Sequence, residues 1–226
     1  MSDENVKTEI QGSVAVLRLD DGKANALSVA TQQAIHAGLD RAVKEAQSLI
    51  LTGRPGRFSG GFDLSVIGAG DANAMREMVR GGAELALRLY EFPIPVIAAC
   101  SGHAIAMGAV LLLSADTRIG IEGNFKIGLN EVAIRMTLPR FAVEFAQDRL
   151  SRRHLQRALN LAEIYSPAGA MDAGYLDRVV APEALLDEAV AEANRYDPLD
   201  RRAHLGTKRN LRGATIERIR ASLDEI

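Results

Sequence analysis

The sequence predicts an α/β protein with a largely parallel sheet. Three observations carry that reading. Short apolar strands alternate with amphipathic helices through the first part of the chain, glycine-bearing turns separate them, and the residues from Ser151 onward are mainly helical. The chain of 226 residues is long enough for a large core and is read as one domain, 1–226. Its core and following helices run to about 195, and a C-terminal helical segment occupies about 196–226.

The elements follow in order. Ser13-Val14-Ala15-Val16-Leu17-Arg18-Leu19 reads as a strand closed by Asp20-Asp21-Gly22. Ser28 then caps a helix on which Leu27, Ile35, Leu39 and Val43 recur at helical spacing. Ser48-Leu49-Ile50-Leu51-Thr52 is a second strand, and the glycine-rich stretch 53–61 after it reads as a turn. Between 73 and 92, Met75, Val79, Gly82, Ala86 and Leu89 share one stripe of a helix. Pro93 and Pro95 force extended chain into a buried strand at 94–100. A small-residue helix at about 106–115, a strand at 117–121, an extended piece at 125–128 and a strand-like 177–180 complete the pattern.

Composition excludes several classes. Hydrophobic residues make up 47% and charged residues 25%, which suits a folded domain rather than a disordered tail. With 27 Lys+Arg against 29 Asp+Glu there is no basic excess to hold a phosphate backbone, so no nucleic-acid partner is expected. Apolar runs such as 104–113 stop near ten residues, short of a membrane span, and no membrane partner is expected either. Residues 1–6 are polar and acidic, unlike a secretory signal, and the lone Cys100 permits a reducing compartment; a cytoplasmic location is the expectation. His36, His103, His154 and His204 share no metal-ligand spacing, so no metal site is assigned.

Two loops can carry chemistry. In Phe58-Ser59-Gly60-Gly61-Phe62-Asp63-Leu64 consecutive glycines let the backbone turn sharply and bring its N–H groups close to an anion. In Ser101-Gly102-His103-Ala104-Ile105-Ala106-Met107-Gly108 a buried strand leads into an apolar helix, whose first N–H groups are unpaired and carry the positive end of its dipole. Neither is a phosphate loop: no Lys-Ser/Thr follows Gly53 at the required spacing, and Asn73 stands where Gly68-Ala69-Gly70 would need a third glycine.

Arg57-Phe58-Ser59-Gly60-Gly61-Phe62-Asp63 and the 101–108 loop resemble the two oxyanion loops of the crotonase (enoyl-CoA hydratase/isomerase) family. Lys23-Ala24-Asn25-Ala26-Leu27-Ser28 resembles its first-strand turn, and Gly128-Leu129-Asn130-Glu131 the segment bearing its catalytic glutamate. Four motifs in order, within a likeness over about 6 to 180, make the resemblance specific. It implies a crotonase-like spiral of βαβ turns with a helical C-terminal trimerisation region, a homotrimer or dimer of trimers, and an acyl-CoA thioester as substrate. Coenzyme A then arrives as part of that substrate and no separate cofactor is needed. The Phe62 and Met107 amides would be the oxyanion donors and Glu131 the catalytic carboxylate. Lys23, Ala24, Ala26, Ser59, Gly60, Gly61, Asp63, Val110 and Lys208 would contact substrate or CoA.

The chain also departs from the family pattern. Met107 stands where glycine is common, Arg135 where small residues are frequent, and Val110 where hydratases carry a first glutamate. One carboxylate suffices to move a double bond, whereas hydration is helped by two groups. Isomerisation of 3-enoyl-CoA to 2-enoyl-CoA is therefore favoured. The alternatives are a hydratase or other crotonase-type reaction, or a non-catalytic acyl-CoA-binding or assembly protein. A serine hydrolase ranks last, because no GxSxG elbow is present.

Overall fold

A computed structural model describes residues 5–226, so the polar start read at 1–6 lies mostly outside it. The chain opens with a hairpin of β1 (Val6–Gln11) and β2 (Val14–Leu19), then β3 (Ala26–Leu27) leads into α1 (Val29–Glu45). Ser28 caps α1 as expected, accepting from the Thr31 amide at 3.2 Å. Next come β4 (Ser48–Gly53), β5 (Gly56–Ser59), β6 (Gly61–Phe62), α2 (Leu64–Gly68) and α3 (Ala72–Tyr90). Beyond the two prolines follow β7 (Val96–Cys100), β8 (Gly102–Ile105), α4 (Met107–Ser114), β9 (Thr117–Ile121) and β10 (Ile127–Gly128). The remainder is α5 (Arg140–Arg149), α6 (Pro167–Ala173), β11 (Arg178–Val180), α7 (Leu185–Arg195) and α8 (Arg201–Leu223).

The main sheet has the order β1-β2-β4-β7-β9-β11 and is parallel except for the β1–β2 hairpin. Side chains alternate between its faces, as the strand period of two requires. Ala15, Leu17, Leu19, Leu49, Leu51, Ala98 and Cys100 join the larger core with α1, α3, α4 and α5. Val14, Val16, Ile50, Ile97, Ala99, Ile119 and Ile121 face the other way and are covered by Leu185, Ala189 and Ala193 of α7. The edge strand β1 was not anticipated from the sequence; Lys7, Glu9 and Gln11 point to water along it, which keeps the edge polar.

Helix α8 closes the larger core through Ile216, Ile219 and Leu223, and it also buries two cations. Lys208 Nζ bonds the Phe92 carbonyl at 2.9 Å and Asp116 Oδ2 at 2.8 Å. Arg212 reaches Asp116 Oδ1 at 2.9 Å and the Tyr90 carbonyl at 2.7 Å, and lies over the Tyr90 ring. The same Asp116 accepts the Val96 amide at 2.8 Å, so one carboxylate ties α8 to the entry of β7. Among the described residues no helix is long and apolar enough to cross a membrane.

Candidate active site

The stretches 53–61 and 101–105 are not merely turns: β8 pairs with both β5 and β10 in a second sheet, ordered β10-β8-β5 and parallel throughout. Gly56 pairs with Gly102 and Arg57 with His103, while Ile127 pairs with Ala104 and Gly128 with Ile105. Parallel strands bring their carboxyl ends to one edge, where ligand sites of such sheets gather. Phe62, Met107 and Glu131 follow those three ends. The register that sets Gly128 beside Ile105 thereby sets the carboxylate beside the start of α4.

The two oxyanion-like loops interlock. Gly61 has φ 91°, and a Cβ there would lie 3.0 Å from the Ala106 methyl and 3.2 Å from the Met107 amide nitrogen. A Cβ on Gly108 would collide with the Ser59 carbonyl. Only glycine permits these approaches. Ser59 is fully buried, donating to the Asn25 carbonyl at 2.8 Å and accepting from the Gly61 amide at 3.2 Å. The buried Asn25 amide group reaches the Leu19, Arg57 and Phe58 carbonyls, stapling the first-strand turn to β5, a role the sequence reading missed.

Ala106, which precedes the Met107 amide, has φ 53° and ψ −124°, a conformation natural to glycine and strained for alanine. The strain fixes the direction of the Met107 N–H, which donates to no acceptor among the described residues. Ala106→Gly is expected to raise the melting temperature by roughly 2–4 °C, about 1 kcal/mol of relieved strain. Differential scanning calorimetry checks it.

Phe62, Met107, Val110 and Glu131 meet on one pocket with about 420 Å³ of empty space, part of it open to solvent. Ile67, Met75, Val79, Met136, Pro139, Phe141 and Ala142 complete the lining. Val110 sits one helical turn beyond Met107, on the same face of α4. Glu131 is the only ionisable residue in this lining. It begins a 3-10 turn and its carbonyl accepts the Ile134 and Met136 amides, which anchors its backbone. Its side chain is buried, Oε2 has no partner among the described residues, and burial holds its carboxyl above the ordinary range.

Other expected site residues fall elsewhere. Lys208 cannot reach a CoA phosphate, since its ammonium is buried against Asp116 and Phe92; the cation is consumed by the fold. Asp63 caps α2, accepting from the Ser65 amide at 2.9 Å and the Ser65 hydroxyl at 2.7 Å, and does not line the pocket. Ser59 and Gly61 are internal to the loops and have no side chain in the lining. Ala24, Ala26 and Gly60 form the adjoining turn, in which the Gly60 amide donates to the Ala24 carbonyl at 2.8 Å and the Ala26 amide to Asp21 at 3.0 Å. Lys23 is exposed beside that turn, and Arg135 is exposed in a left-handed conformation beyond the pocket lining. His103 has a packing role, accepting the Lys126 amide at 2.9 Å and meeting Phe125 edge-on. Of the remaining lining, Met75 and Val79 were legible as part of a helical stripe with no site role assigned; Met136, Phe141 and Ala142 gave no signal.

The family model for enoyl-CoA hydratase/isomerase matches residues 9–210. The chain belongs to the enoyl-CoA hydratase/isomerase family. It is thus a member of the crotonase superfamily, and the layered α/β fold matches that of its solved relatives. An enoyl-CoA hydratase/isomerase family protein from Pseudomonas syringae is 42% identical with a TM-score of 0.96, covering 98% of this chain and 96% of that one. An apo enoyl-CoA isomerase from Mycobacterium tuberculosis is 40% identical with a TM-score of 0.93, covering 98% of this chain and 96% of that one. A probable enoyl-CoA hydratase of Bacillus subtilis is 32% identical over 194 residues, 81% of this chain and 72% of that protein. Family members similar to this chain are thus described as both isomerases and hydratases.

Proposed function

We propose that this family member converts 3-enoyl-CoA thioesters to 2-enoyl-CoA thioesters. The observation that carries the proposal is the solitary Glu131 in an apolar pocket that also holds Phe62 and Met107, with Val110 on the helix that follows the second loop. Removing a proton from C2 places negative charge on the thioester oxygen. The Phe62 and Met107 amides would stabilise that charge, each contributing about 3–4 kcal/mol as oxyanion-hole donors do. Glu131 would take the C2 proton and return it at C4, and one carboxylate can do both because the proton is never lost. Hydration is helped by a second group to activate water or deliver a proton, and the lining supplies only Val110 and other apolar side chains.

Because burial raises the Glu131 carboxyl, kcat/KM should climb with pH through that raised value rather than through the ordinary carboxylate range. Product analysis with 3-enoyl and 2-enoyl thioesters tests the assignment. Isomerisation is expected to outpace hydration by at least about a hundredfold. Hydration as fast as isomerisation would reassign the enzyme as a hydratase, and no turnover of either thioester would leave an acyl-CoA-binding protein.

A further inference from the structure

Helix α3 carries Met75, Val79, Gly82, Ala86 and Leu89 on one stripe. Met75 and Val79 line the pocket, whereas Ala86 and Leu89 are fully buried in the larger core and lie outside the lining. The pocket therefore ends along α3 between Val79 and Ala86, and Gly82 is the stripe residue at that point. Glycine destabilises a helix interior relative to alanine. Here it makes room for the Phe62 ring. A Cβ on Gly82 would lie 2.4 Å from Phe62 Cε1 and 2.6 Å from Cζ, so the tip of the ring rests on the helix backbone where a side chain would stand.

The other end of the ring is held as firmly. Phe62 lies in β6, where it pairs with Leu27 of β3, and it follows Gly61, which abuts Ala106. The ring thus spans from the first oxyanion-like loop to α3. Gln32 also approaches Gly82, its Nε2 3.6 Å from the same Cβ position, but it stays out of the lining and donates to the Leu27 and Met78 carbonyls at 3.2 and 3.0 Å. Coenzyme A is too large for this pocket and must leave through its open side, which sends the acyl tail toward the closed end. We propose that Phe62 determines acyl-length specificity: its ring, seated on Gly82, is the stop that limits how long a straight-chain acyl thioester the pocket accepts. This rests on the proposed function, in which the Phe62 amide holds the thioester oxygen. One residue then fixes the carbonyl through its backbone and measures the tail through its side chain.

The test is kcat/KM for straight-chain 3-enoyl-CoAs of about six to sixteen carbons, with Kd for the matching saturated acyl-CoAs. Wild type is compared with Phe62→Ala, Phe62→Leu, Gly82→Ala and the double variant Phe62→Ala/Gly82→Ala. Phe62→Ala is expected to raise the long-to-short ratio of kcat/KM by at least about tenfold, the worth of a methylene newly accommodated in an apolar pocket, and Phe62→Leu by less. Gly82→Ala should move the ratio the opposite way, because the added methyl drives the ring into the pocket. With Phe62→Ala already present the same methyl should change little, since the ring it would strike is gone. A merely structural role would depress every chain length alike. An unmoved ratio in Phe62→Ala, or a Gly82→Ala effect that is the same with and without the ring, overturns the proposal while leaving the isomerase assignment standing. Wild type that isomerises no chain length overturns that assignment instead, and the Kd ratios then decide for or against the stop by the same comparison. Should Phe62→Ala not fold, Phe62→Leu and Gly82→Ala must still move the ratio in opposite directions; movement in one direction is equally decisive against it.

Discussion

Glu131→Gln is expected to lower isomerase turnover by about two to four orders of magnitude, the usual worth of a positioned proton-transfer group, with acyl-CoA affinity kept within a few-fold. The amide preserves the shape of the side chain and removes its basicity, so stopped-flow rates and calorimetric binding should separate cleanly. The same substitution should stabilise the fold at neutral pH. Burial raises the folded-state pKa of Glu131 above its unfolded value. Such a group contributes its stability fully below the unfolded pKa and loses it as pH rises through the folded pKa. The melting-temperature advantage of Glu131→Gln over wild type should therefore be near zero at about pH 4 and reach a few degrees at about pH 8. An enzyme that becomes sturdier on losing its carboxylate is one that gives up stability to keep an unpaired charge in an apolar pocket. Turnover unchanged from wild type would sink the catalytic assignment.

The second large effect belongs to Asp116. Its carboxylate is 15% exposed and serves Lys208 and Arg212, which are 4% and 6% exposed. Asp116→Asn leaves two buried cations facing a neutral amide. Breaking one partner of a buried ionic group costs about 3–5 kcal/mol, equivalent to a fall in melting temperature of very roughly 10 °C. Burial already lowers the Lys208 pKa in spite of Asp116, so the variant should also release the Lys208 proton more readily as pH rises. Adding Lys208→Met to Asp116→Asn should recover part of the loss, because one of the stranded charges is then gone. A double-mutant cycle with no coupling between the two positions would contradict this account.

Legibility in the sequence followed the range of the interactions involved. Strands β2, β4, β7 and β9 and helices α1, α3 and α4 announce themselves through local periodicity, and the Ser28 cap and the two prolines mark boundaries by local sterics. Strands β5 and β8 do not. Each is four residues long and exists because segments distant in sequence pair side by side, which no local pattern records. The two loops were legible as glycine-bearing segments, and Phe62, Met107, Val110 and Glu131 line one pocket. Lys208 was misread for a definite reason: a lysine on a C-terminal helix is usually solvated, and its partner Asp116 lies 92 positions away. Asp63, expected at the substrate, instead caps α2.

The glycine interlock between the 61 and 108 loops has a consequence for how acyl preference can diverge. The two amides and Glu131 all follow the ends of β5, β8 and β10, whose backbones touch with no side chain to spare. The rest of the lining is instead made of side chains, among them Ile67 and Met75 from two helices and Met136 beyond the 3-10 turn, and methionine is the side chain that most readily refills altered space. Selection can therefore recast the acyl berth through substitutions that never strain the chassis holding the charges, so tail preference and turnover can drift as separate heritable traits.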